Sequence, residues 1–125
     1  MRLKKATGFI RLQTASKSCL IHTCSMTQAL AWPMLTHPAE HTLMSHLVSI
    51  RTALVHLNRN LEDGSAGIEA WKQTQRTWAQ CLRAQNQWNL AYRDAQLEEK
   101  VYRRFAQELD SLASRLLCLM QAFNG

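Results

Sequence analysis

The sequence predicts an all-α protein, an antiparallel helical hairpin with a long, coiled-coil-like C-terminal helix, and a three-helix bundle is the alternative arrangement. Three observations predict it. Leu43, Leu47, Ile50, Leu54, Leu57 and Leu61 alternate steps of four and three, which places all of them on one face of a helix. No Gly or Pro occurs between Gly67 and Gly125, so no residue there forces a break. Through that stretch Trp71, Trp78, Gln85, Tyr92, Glu99, Ala106, Ala113 and Met120 hold one heptad position, while Thr74, Cys81, Trp88, Ala95, Tyr102, Leu109, Leu116 and Phe123 hold the other.

With 125 residues the chain has room for one domain able to bury a core without staples. Residues 1–25 carry Arg2, Lys4, Lys5, Arg11 and Lys17 and no Asp or Glu, so five of the six excess positive charges sit there. That segment reads as a basic, disordered tail. It has the composition of a mitochondrial transit peptide, without the apolar run of a secretory signal, and Met26 offers an alternative start. Residues 26–37 read as an irregular lead-in and 38–125 as the helical domain. The expected compartment is cytoplasmic, or the mitochondrial matrix if the tail is a transit peptide.

Helix one begins at Thr36-His37-Pro38, where Thr or His can cap and Pro suits the first turn, because its missing N–H would have no partner there. The run from Glu62 to Gly67 ends it, with Gly64 suited to a left-handed C-terminal turn and Ser65 to capping the next helix. A loop this short makes the two helices antiparallel neighbours. The seam Leu43, Leu47, Ile50, Leu54, Leu57 and Leu61 is then expected to meet Trp71, Trp78 and Trp88. At about 1.5 Å per residue helix one spans roughly 36 Å and an unbroken second helix roughly 85 Å. The surplus face, Tyr92, Tyr102, Phe105, Leu109, Leu112, Leu116, Met120 and Phe123, has nothing left to cover it. It is therefore expected to dock on another helical protein or on a second copy of the chain. The other solution is a bend within the charged residues 93–100.

Chemistry is sparse. Cys19, Cys24, His37 and His41 have the spacing of a Cys2His2 zinc finger. Gln28 stands where the finger needs an apolar residue, and Pro38 falls between the two His, so no metal or other cofactor is expected. Cys81 and Cys118 lie on the apolar stripes as small hydrophobes. There is no phosphate loop, nucleophile elbow or His-Glu-x-x-His, and Glu98 and Glu99 point apart on a helix. No apolar run reaches the roughly 20 residues that span a bilayer. Residues Gln85, Trp88, Arg93 and Asp94 resemble the signature of the periplasmic lysozyme-inhibitor-like family over about ten residues. The Trp-to-Arg distance is one residue longer than that family's, and the chain is not assigned to it.

The reading that follows is a non-enzymatic helical interaction module: an assembly factor, chaperone-like adaptor or small structural subunit, such as one of a secretion-type apparatus. The alternative is a nucleic-acid-associated accessory factor using the basic tail with Arg76, Arg83, Arg103 and Arg104.

Overall fold

In the computed structural model residues 2–31, 37–64, 67–94 and 97–124 are described, with side chains from residue 8 to residue 123. They form four helices: α1 (Arg2–Ala31), α2 (Pro38–Glu62), α3 (Ile68–Arg93) and α4 (Glu99–Asn124). Each packs closely on two neighbours, α1 and α3 both lying against α2 and α4, and among the described residues the backbones of neither diagonal pair come close. Bonds between neighbours run in opposite sequence directions. Gln13 Nε2 donates to Leu61 O and Ser16 Oγ to Asn58 Oδ1, while His22 meets Glu108 and Ser18 meets Arg115. The molecule is an up-down-up-down four-helix bundle.

The hairpin and the three-helix bundle both give way to this arrangement, for two reasons. Residues 2–31 are a helix rather than a tail and lead-in. Leu12, Ser16, Cys19, Thr23, Met26 and Leu30 repeat the four-three stepping of α2, and all of them are buried. The stripe is easily passed over because half of it is Ser, Cys and Thr. In addition the chain turns between α3 and α4. The Asp94 N–H reaches back to Leu90 O at 2.9 Å and closes α3, and α4 restarts with Tyr102 N–H on Glu98 O at 2.9 Å. No Gly or Pro is needed there. Turning lets α4 bury Leu109, Leu112, Leu116 and Leu119, each worth roughly 1.5–3 kcal/mol when fully buried, which outweighs the few helical bonds lost.

The ends of α2 follow local chemistry. His37 is its N-cap, with Nδ1 accepting from Ala39 N–H at 3.3 Å, and Pro38 takes the first helical position. Gly64 follows the helix at φ +83°, in the left-handed region. Thr36, Ser65 and Ala95 lie outside the described residues.

The core is built from two kinds of helix. α2 and α4, on one diagonal, point Leu and Ile inward; α1 and α3, on the other, present Ser, Thr, Cys and Ala among fewer large residues. Large side chains on two opposite corners fill the space that small ones leave on the other two, the alternation that close packing favours. Among the described residues no helix is long and apolar enough to cross a membrane.

Candidate functional site

The expected docking face is largely inside the molecule. Leu109, Leu112 and Leu116 are fully buried and Phe105 nearly so; Met120 and Phe123 are half-buried. Phe123 meets Trp71 edge-on at 5.8 Å, and Phe105 meets Trp88 the same way at 5.9 Å. Tyr102 and Tyr92 stack face to face at 4.0 Å across the α3–α4 turn. The surface assigned to a partner is thus covered by α1 and α3 of the same chain, because the chain reverses direction between α3 and α4 and folds it back onto them.

The seam Leu43, Leu47, Ile50, Leu54, Leu57 and Leu61 is buried, and α2 shares it between α1 and α3 rather than giving it to one partner helix. Of its expected partners, Trp88 is buried and donates from Nε1 to Tyr102 O at 3.0 Å, while Trp71 and Trp78 are half-buried. Trp71 and Trp88 both meet rings of α4 edge-on.

Cys19, Cys24, His37 and His41 are not gathered: Cys19 points into the core, His37 caps α2 and His41 is exposed, and among the described residues no group of three metal-ligating side chains is assembled. All four cysteines are free. Burial pushes the Cys19 thiol from 9.0 up to about 12, opposed by the nearby Arg115 charge and reinforced by Cys118 and Cys81. Burial, helped by Asp110, does the same to Cys81. Both remain neutral thiols at ordinary pH and are poor nucleophiles.

No protein-family model, curated protein or solved structure matches the chain. What the chain can do must therefore be read from its own surface.

Two surface features stand out. The first is the outer side of α3. Its inward residues are Ala70, Thr74, Thr77, Cys81, Ala84, Trp88 and Ala91, so helical geometry turns Lys72, Arg76, Arg83 and Leu90 directly outward. There is no acidic residue between Glu69 and Asp94. His22 lies against Glu108 and Arg103 pairs with Glu99, and among the described residues none of these α3 cations is paired with a carboxylate. Ile68, Leu82 and Leu90 are exposed along the same side, Ile68 by 68%. Arg103 and Arg104, by contrast, are engaged on α4, the first with Glu99 at 2.7 Å and the second over the Phe105 ring at 5.4 Å.

The second feature is a cleft between α1 and α4, with Lys17, His22 and Arg115 on its walls. Arg115 and Ser18 were not singled out by sequence reasoning, and Lys17 only as one charge of the basic tail. Two of the three belong to the segment that reads as a tail, and only the packing of α1 on α4 brings them beside Arg115.

Proposed function

We propose that the protein is a non-enzymatic interaction module, a four-helix bundle that docks an acidic, amphipathic segment of another protein along the outer side of α3. The observation that supports this is the unpaired cationic strip Lys72, Arg76 and Arg83 with exposed Ile68, Leu82 and Leu90 beside it. An anionic partner gains charge complementarity without displacing an existing ion pair, and a partner with apolar residues gains the leucines as well. The exposed apolar residues favour a protein over a nucleic acid, which needs cations and stacking surfaces more than aliphatic ones.

The test compares wild-type protein with Arg76→Glu/Arg83→Glu and with Leu82→Asp/Leu90→Asp in affinity capture, with nuclease treatment and identification of bound proteins. Loss of the same bound protein in both variants, while circular dichroism shows the bundle intact, supports the reading. Binding that is removed by nuclease and unaffected by the leucine changes would transfer the strip to nucleic acid. An unchanged set of partners in the charge-reversed variant defeats it.

A further inference from the structure

We propose that the cleft between α1 and α4 is a binding site for a small phosphate monoester, with the Arg115 guanidinium as its anchor and Lys17 as a second cation. Arg115 reaches across the helix interface: Nη1 donates to Ser18 Oγ on α1 at 2.6 Å and Nε donates to Ser111 Oγ, one turn back on α4, at 3.4 Å. Both partners are neutral hydroxyls. They fix the direction of the guanidinium without cancelling its charge, whereas a carboxylate would have done both. Glu108, two turns earlier on α4, is engaged by His22, whose Nε2 lies 3.2 Å from Oε2 and 3.0 Å from the Glu108 carbonyl oxygen.

The remaining guanidinium N–H groups can take two oxygens of a tetrahedral anion, the geometry for which arginine is suited. The cleft has a volume of about 520 Å³, and Thr14, Lys17, Ile21, His22, Ser25 and Arg115 are on its walls. Thr14 and Ser25 add hydroxyl donors, and α1 has no Asp or Glu to repel an anion. Ile21, 69% exposed, forms an apolar wall beside the charged groups. That wall selects for an ester with an organic body over the bare ion.

Phenyl phosphate is the probe, titrated into the 15N-labelled full-length protein at fixed ionic strength, with inorganic phosphate and phenol in parallel. The expected result is saturable shifts of the Ser18, Ser111 and Arg115 amides, with a dissociation constant on the order of 1 mM, and several-fold weaker binding of inorganic phosphate. Arg115→Gln removes the charge at an exposed position and should weaken binding at least about tenfold with unchanged circular dichroism, whereas Arg59→Gln, at an exposed position in the last turn of α2, should leave it unaltered. Non-saturating shifts overturn the proposal, as does equal loss in the two variants, full binding by Arg115→Gln, or inorganic phosphate binding as tightly as the ester. The α3 strip plays no part in this test, so the two readings stand or fall separately.

Discussion

The Ser16 hydroxyl donates a hydrogen bond of 2.5 Å to Asn58 Oδ1 in the bundle interior, joining α1 to α2 across 42 residues of sequence. Ser16 is fully buried, and Asn58 sits among the leucines of α2. A buried polar pair adds modestly to stability when satisfied and is costly when one member is left alone. Asn58→Ala is expected to cost about 1–3 kcal/mol in urea unfolding, since it strands the Ser16 hydroxyl. Adding Ser16→Ala to it should recover part of that loss. A double variant less stable than the single one would show that the pair is not the source of the cost.

Leu109 separates a core role for α4 from a docking role. It is fully buried between its neighbours, so Leu109→Ala is expected to lose about 2–5 kcal/mol. Leu109→Asp with Leu116→Asp should abolish the cooperative thermal transition altogether, because two carboxylates would have to enter the core. A variant that stays folded and monomeric while losing only a partner would return this face to docking.

The two buried thiols predict an alkaline weakness. Folded Cys19 and Cys81 keep their protons up to about 12, against 9.0 for an ordinary thiol. Between those values the unfolded chain releases protons that the folded chain holds, so stability falls as pH rises, by at most about 1.4 kcal/mol per pH unit for each thiol. Below that window neither thiol makes stability depend on pH. Cys19→Ala/Cys81→Ala should flatten the loss seen in urea titrations between about pH 9 and pH 11. In the native protein a thiol reagent should label exposed Cys118 first, and reach Cys19 and Cys81 only on unfolding.

Residues 1–25 decide whether the bundle closes. Removing them, so that the chain starts at Met26, deletes Leu12, Ser16, Cys19 and Thr23 from the core and opens one side of α2 and α4. The shortened protein is expected to lose its cooperative transition, to bind a hydrophobic dye and to self-associate on size exclusion. A well-folded monomer from Met26 would show that α1 is an accessory.

The helical class, the α2 seam and the His37-Pro38 start are legible in the sequence, because each rests on spacing or capping chemistry within a single helix. Gly64 at the end of α2 was legible for the same reason. Sequence alone also places Leu109 and Leu116 on an apolar stripe, but it does not say what covers them, since a leucine in a bundle core and one at an interface have the same periodicity. α1 escaped notice because its buried positions include Ser16, Cys19 and Thr23, whose burial becomes favourable only when leucines of α2 and α4 fill the space beside them. The turn between α3 and α4 was read only as the second of two solutions, a bend within residues 93–100. It contains no helix breaker, and its driving force is the burial of α4 against helices that lie far away in sequence. The Arg115 cleft depends on both, as Ser18 and Ser111 come within reach of one guanidinium only after α4 folds back on α1. Local periodicity determined what the helices are, and the long-range burial of their small and large faces against each other decided how many there are and which side chains meet.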